Sequence, residues 1–195
     1  MEDIREKRAE LREQVEKDLG GISAKGKKAM LEQIETRLFE FANFLESRIA
    51  LLYISGPREV DTAGILRRSH QMNKLIVLPA ATDNPSDLRL MKIDNPETDL
   101  KPGPDGLLAP NPDRCRTVPI DCIDIAVIPG LVFDEKGGRI GTHGGFYNKL
   151  IGKLPATTRK VALAFEKQIV AQVPMESGDR FVDIIISDQR IIYKI

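Results

Sequence analysis

Apolar residues recur at helical intervals over 2–19, where Ile4, Ala9, Leu11, Val15 and Leu19 share one face between charges of alternating sign. That spacing predicts an amphipathic helix, ended by Gly20-Gly21. Ser23 is placed to cap a second helix, whose apolar residues run from Met30 through Leu31, Ile34, Leu38 and Phe41 to about Ser47. The period then changes. Ile49–Ile54 is a compact apolar run stopped by Ser55-Gly56-Pro57, which predicts a first buried strand. Residues Thr62 to Met72 carry Ile65 and Leu66 on another helix, and Lys74–Leu78 followed by Pro79 predicts a second strand. Strand, helix and strand in that order predict parallel pairing.

Further on, Arg89–Ile93 alternates and predicts an edge strand, while residues 95–119, rich in proline, glycine and polar side chains, predict an irregular segment folded over a site. The run Ile125–Val127 predicts a buried strand ended by Pro129-Gly130, and Leu131–Phe133 is a second apolar patch. Five glycines follow, at 137, 138, 141, 144 and 145, and they end at a helical start, Phe146–Leu150. Strand, glycine-rich loop and helix is the resulting order. Lys160–Phe165 predicts another strand, Glu166–Gln172 a short turn or helix, and Asp183–Ile186 with Arg190–Tyr193 a terminal hairpin. The expected fold is α/β: an open, mainly parallel twisted sheet flanked by helices, with a C-terminal hairpin, in a single domain over 1–195.

Composition narrows the partners. The 29 basic and 29 acidic residues cancel, so no bulk charge draws the chain to nucleic acid or a membrane surface. No apolar run reaches spanning length, and Glu2–Glu16 carries no apolar core of a signal peptide, so a cytoplasmic location is expected. Cys115 and Cys122 lack the spacing of a zinc site or a disulfide framework.

Chemistry concentrates at the glycines. Glycine lets successive backbone N–H groups converge, and a helix start adds unpaired donors and a positive dipole end, so this loop can hold phosphate. Arg139 and Lys149 supply cations at its edges, and Thr142, His143 and Tyr147 supply hydrogen-bonding groups. The spacing matches neither the Walker loop nor the dinucleotide fingerprint, so a plain glycine-rich turn stays open beside phosphate binding. Arg8 and Arg12, four apart on the first helix, form either a cationic fork for phosphate or a solvated face. Glu59 follows the first strand's carboxyl end, where open α/β sheets bind ligands, or else compensates the next helix dipole. Asp179, in the loop Glu176–Asp179, is placed to reach the glycines.

In order, Arg8-x-x-Leu11-Arg12, Glu59-Val-Asp-Thr62, Leu78-Pro79, Asp99-Leu100, Ile128-Pro129-Gly130-Leu-x-Phe133-Asp134, Gly138-Arg139-Ile140-Gly141-x-x-Gly144-Gly145-Phe146-Tyr147, Ala164-Phe165-x-x-Gln168 and Val173-Pro174 closely resemble the 5-formyltetrahydrofolate cyclo-ligase family, also called 5,10-methenyltetrahydrofolate synthetase. The resemblance runs nearly the whole length. It implies ATP- and Mg2+-dependent conversion of 5-formyltetrahydrofolate to 5,10-methenyltetrahydrofolate through a phosphorylated formyl group, by a monomer or weak homodimer. Carried over by position, it implies that Arg8, Arg12, Arg139, Gly141, Thr142, His143, Gly144, Gly145, Phe146 and Tyr147 bind nucleotide. Ile54, Glu59, Phe133 and Tyr147 would meet the folate, Arg139 and Tyr147 would serve catalysis, and Asn148 and Asp179 would face magnesium.

Four positions depart from the family's pattern. Asn148 stands for a carboxylate, Lys149 for an arginine, His143 for a glycine and Ala109 for a glutamate. Two readings follow: a working cyclo-ligase with relaxed metal coordination, or a relative that binds nucleotide or folate with altered activity.

Overall fold

A computed structural model describes residues 3–80, 88–103, 106–142 and 144–194. The first helix, α1 (Ile4–Gly20), is capped by the Asp3 carboxylate, which accepts from the Arg5 N–H. Ser23 caps α2 (Ala24–Glu40) as its position predicts, accepting from the Gly26 N–H at 3.0 Å. This second helix stops earlier than its periodicity suggests. Phe41 turns extended (ψ 118) to bury its ring, and a short α3 (Ala42–Glu46) restarts the coil. The Lys74 ammonium closes α3, donating to the carbonyl oxygens of Phe44, Leu45 and Ser47, the last at 2.7 Å.

Strands β1 (Ile49–Leu51) and β2 (Leu75–Ala80) flank α4 (Ala63–Gln71) and pair in parallel. Next come β3 (Arg89–Ile93), β4 (Leu100–Pro102), β5 (Leu108–Pro110), β6 (Arg116–Thr117) and β7 (Ile125–Ile128). Then follow β8 (Val132–Asp134), β9 (Arg139–Ile140), α5 (Phe146–Lys153), β10 (Arg159–Ala164), β11 (Ile169–Val170), β12 (Ile184–Ser187) and β13 (Ile191–Tyr193).

The main sheet has the order β13-β12-β10-β7-β1-β2-β3-β6, with β2, β1, β7, β10 and β12 parallel. Strands β3 and β13 run against them, while β6, antiparallel to β3, runs in their direction. The expected mainly parallel α/β sheet with a C-terminal hairpin is therefore the fold. Two local expectations are corrected. Strand β3 is not the edge, because the two exposed residues of β6 pair outside it. Nor is the stretch after residue 95 structureless: Asp99 accepts from the N–H groups of Asp94 and Asn95 and from Arg114 Nε, gathering a loop that carries the β4–β5 hairpin.

The chain reverses direction across the sheet between β1 and β7. From β1 it builds outward through β2, β3 and β6; from β7 it builds the other way through β10, β12 and β13. The carboxyl ends of β1 and β7 therefore diverge, and a crevice opens between them where open α/β sheets take ligands. The segment after β1 carries Glu59, and the segment after β7 carries the glycines. Between β7 and α5 lies more than a loop. Strands β8 and β9 form a hairpin, and β11 joins β8 in parallel to complete a small second sheet.

Two apolar clusters hold these layers. The larger surrounds the main sheet; the smaller, built on Val15, Leu131, Val132, Ile140 and Val173, fastens α1 to the small sheet. At about 1.5–3 kcal/mol for each fully buried aliphatic side chain, the smaller cluster fixes the face that α1 turns to the crevice. The hairpin itself is pinned by a buried carboxylate. Asp134 accepts from the N–H groups of Lys136 (3.0 Å), Gly138 (2.8 Å) and Val173 (2.7 Å), tying the β8–β9 turn to the segment after β11 that leads toward Asp179. Asp134→Ala leaves these donors unpaired in a dry site, and chemical denaturation should register a loss of about 2–5 kcal/mol.

Candidate functional site

A cavity of about 910 Å³ opens at the crevice, and its wall comes from α1, β9, the glycine loop, α5 and the Glu176–Arg180 loop. Six cationic side chains line it, Arg8, Arg12, Arg139, Lys149, Lys153 and Arg180, against two carboxylates, Glu176 and Asp179. That imbalance suits a polyanion. Gly145 supplies the helix start, in a left-handed conformation (φ 84) that other residues adopt at a cost, and no side chain caps α5. The first N–H groups of α5 are thereby left for a ligand. Gly141 permits a close approach, since a Cβ there would collide with the Arg139 guanidinium.

A chain of side chains joins four elements around this cavity. Arg139 Nη1 donates to the Pro129 carbonyl oxygen (2.9 Å) and Nη2 to Asn148 Oδ1 (2.7 Å). Asn148 Nδ2 donates to Asp179 Oδ1 (2.8 Å), and Arg8 Nη1 donates to Asp179 Oδ2 (2.5 Å). Arg139 is only 3% exposed, and its Nε has no acceptor among the described residues. Burial pushes this guanidinium down to about 10, with Asp179 and Tyr147 acting the other way, so it remains a cation at neutral pH. Burial also raises the Tyr147 phenol, with Glu59 adding to the shift, so Tyr147 stays protonated and serves as a hydrogen-bonding group rather than a base.

Beside this lies a second cavity of about 440 Å³, walled by Val15, Leu19, Leu31, Leu131 and Phe165, with Lys27, Lys28 and Arg58 among the charged residues that line it. Glu59 lines it from the first cavity's side. Its Oε2 accepts from the Gly56 N–H (2.9 Å), and its Oε1 accepts from Thr142 Oγ (2.7 Å), whose residue lines the cation-rich cavity. This hydrogen bond marks the border between a cationic and an apolar compartment.

Most predicted residues meet here. Arg8, Arg12, Arg139, Gly141, Thr142, Gly144, Gly145, Tyr147, Asn148 and Asp179 line the first cavity. Phe146 instead packs its ring edge-on to Tyr147, with centroids 5.2 Å apart. Phe133 is wholly buried beneath Gly130, within the main core. Ile54 faces a separate cleft of about 200 Å³ shared with Pro96, Leu100 and Leu108 of the segment expected to cover the site. His143 lies outside the described residues. Sequence reasoning missed Lys153 and Arg180. The first has a readable signal, a cation four residues beyond Lys149 on one helix face, whereas Arg180 has none. It also missed the apolar compartment, whose walls come from five distant places in the chain.

The donor set does not fit a magnesium ion held by protein alone. Among the described residues no three His, Cys, Asp or Glu side chains gather as a metal site. Asn148 Oδ1 already accepts from Arg139 and from the Arg180 N–H (3.3 Å), and Asp179 accepts from Arg8, Asn148 and the Glu176 N–H.

A model of the 5-formyltetrahydrofolate cyclo-ligase family matches residues 4–188. A protein named probable 5-formyltetrahydrofolate cyclo-ligase from Caenorhabditis elegans is 26% identical over 204 residues, covering 98% of each chain. The 5-formyltetrahydrofolate cyclo-ligase of Haemophilus influenzae is 27% identical over 179 residues, covering 89% of this chain and 94% of that one. The NMR structure of Aquifex aeolicus 5,10-methenyltetrahydrofolate synthetase shares the fold, with a TM-score of 0.82 and 23% identity over 95% of this chain and 92% of that one.

Although burial alone would raise the Asp179 carboxyl, the Glu176 N–H, Arg8 and Asn148 hold it below the usual carboxylate range. A depressed folded-state value contributes stability above the unfolded-state value, lost as pH falls through the folded one. In Arg8→Met the carboxyl should titrate at a higher pH than in the parent, as carboxyl-carbon NMR of Asp179 would show.

Proposed function

The chain belongs to the 5-formyltetrahydrofolate cyclo-ligase family, and we propose that it carries out the family's reaction across the two compartments joined at Thr142 and Glu59. It is a ligase that uses ATP to convert 5-formyltetrahydrofolate to 5,10-methenyltetrahydrofolate, giving ADP and phosphate. The triphosphate lies in the cation-rich cavity, against the glycine loop, Arg8, Arg12 and Arg139. The pterin lies toward Glu59, and the apolar compartment takes the aromatic part of the folate. The observation that carries this placement is the 2.7 Å bond from Thr142 to Glu59, which joins the glycine loop to a carboxylate that lines the apolar cavity beside it.

The formyl oxygen attacks the γ-phosphate and ADP departs, leaving the formyl carbon as an iminium phosphate. N10 then closes on that carbon, giving up its proton to solvent, and phosphate leaves with the former formyl oxygen. Phosphorylation turns a poor oxygen leaving group into a good one, so the protein mainly positions the reactants and stabilises developing charge. Arg139, fixed by its bonds to Pro129 and Asn148, presents a cation that needs no reorganisation when charge builds on the transferred group. Tyr147, a neutral phenol, donates toward the formyl or phosphoryl oxygen. Glu59, as a carboxylate, accepts from the pterin amino and ring N–H groups. A magnesium ion accompanying ATP would supply charge neutralisation at the phosphates, with Asp179 a carboxylate of the chain beside it.

Absorbance of the methenyl product from 5-formyltetrahydrofolate tests the reaction: product should grow with ATP and magnesium and fail to grow without ATP. Arg139→Ala should weaken ATP binding by about 10- to 100-fold, the worth of a charge-assisted hydrogen bond, in a calorimetric titration. An affinity within twofold of the parent would remove Arg139 from the phosphate site. Glu59→Gln should raise KM for the folate by about tenfold while leaving ATP affinity unchanged, separating the two compartments.

A further inference from the structure

Asn148 lies between a cation and an anion of the cation-rich cavity and joins them. Its Oδ1 takes a hydrogen bond from Arg139 Nη2 at 2.7 Å, and its Nδ2 gives one to Asp179 Oδ1 at 2.8 Å. Few side chains present an acceptor to one neighbour and a donor to the next across a single planar group, and an amide does so with no charge of its own. A carboxylate in its place would set two acceptors 2.8 Å apart along the bond to Asp179. Such a pair is repulsive until a proton or a metal ion bridges it.

We propose that the Asn148 amide occupies the bridging role of a divalent cation, so that this cavity is organised without a metal and admits magnesium only as a partner of nucleotide phosphate. Asn148 is then a positioning residue. It fixes the buried Arg139 guanidinium toward the phosphates and, through Asp179, holds Arg8 and the Glu176–Arg180 loop in register with α5. The remaining bonds agree: every Asp179 oxygen is engaged, one by Asn148 and the other by Arg8 and the Glu176 N–H, and the guanidinium of Arg139 lies where a bare dication would meet like charge. The inference rests on the reading of this cavity as the nucleotide site only for its second clause; exclusion of a free ion follows from the hydrogen bonds alone.

Manganese serves as the probe, followed by the paramagnetic resonance signal of the free ion in titrations of nucleotide-free protein. Wild type should show no saturable site up to a millimolar range, roughly the level at which weak carboxylate sites fill. Asn148→Asp should gain a single site that magnesium competes away and that Asp179→Asn, added to it, abolishes. A saturable site in wild type that Asp179→Asn removes would overturn the proposal, as would a folded Asn148→Asp with none. Calorimetry with a non-hydrolysable ATP analogue supplies the second arm. Chelating magnesium should cost Asn148→Asp at least about five times more affinity than it costs wild type, because only the variant brings an unneutralised carboxylate to the phosphates; equal losses would overturn the positioning role. Absence of any analogue binding to wild type would instead count against the nucleotide reading and leave the manganese result to stand or fall separately.

Discussion

A guanidinium that is 3% exposed imposes its needs on everything near it, and Arg139 is such a group. A buried charge without partners costs several kcal/mol, so the fold must bring acceptors to it. It receives the carbonyl oxygen of Pro129 from the end of β7 and the amide oxygen of Asn148 from α5. The amide passes the demand on to Asp179, and Asp179 answers with Arg8 on α1. One buried cation thus sets the spacing of the central sheet, the helix after the glycines, the first helix and a C-terminal loop.

Topology explains why that cation lies where a ligand can use it. The sheet grows in opposite directions from β1 and β7, and the diverging ends leave a crevice that neither flanking helix layer fills. The segment after β1 turns back on itself through the Gly56 N–H bond to Glu59, while the segment after β7 inserts a hairpin before its helix. The hairpin does two jobs: its outer face receives α1 through the Val15 and Ile140 cluster, and its second strand carries Arg139. A cation on a strand, held at both ends by pairing and packing, is better positioned than one on a loop.

The two compartments differ in what they ask of a ligand. Six cations and an uncapped helix start face one, and five apolar side chains wall the other. A substrate pair in which one partner is a triphosphate and the other a flat heteroaromatic with an aromatic extension divides naturally along that line. On the proposed placement the two substrates meet where the compartments touch, at the Thr142 hydroxyl and the Glu59 carboxylate. Neutrality at position 148 belongs to the same economy of charge. With Arg8 and Arg139 both aimed at Asp179 or its neighbour, an uncharged amide keeps one carboxylate enough for the pair.

Periodicity and turn residues were sufficient for most of the elements. Val15 and Leu19 fall on one face of α1, Ser23 caps α2, the β1-α4-β2 unit is parallel, and β12 and β13 close as a hairpin. These are short-range matters, settled by side chains within a few residues of one another. Arg139, Tyr147 and the glycines that line the cation-rich cavity were likewise visible, because they fall together in one unusual stretch of sequence. The break at Phe41, the outer position of β6 and the β8–β9 hairpin inside the supposed loop were not, since each depends on a distant surface that offers burial or a free strand edge. Phe133 and Ile54 show the same limit: a side chain's distance along the chain from Glu59 does not say which side of the sheet's end it will face, and packing sent one beneath Gly130 and the other into a separate cleft. Local chemistry is written in neighbouring residues, whereas the apolar compartment and the Arg8-Asp179-Asn148-Arg139 chain exist only after segments as much as 171 positions apart are folded together.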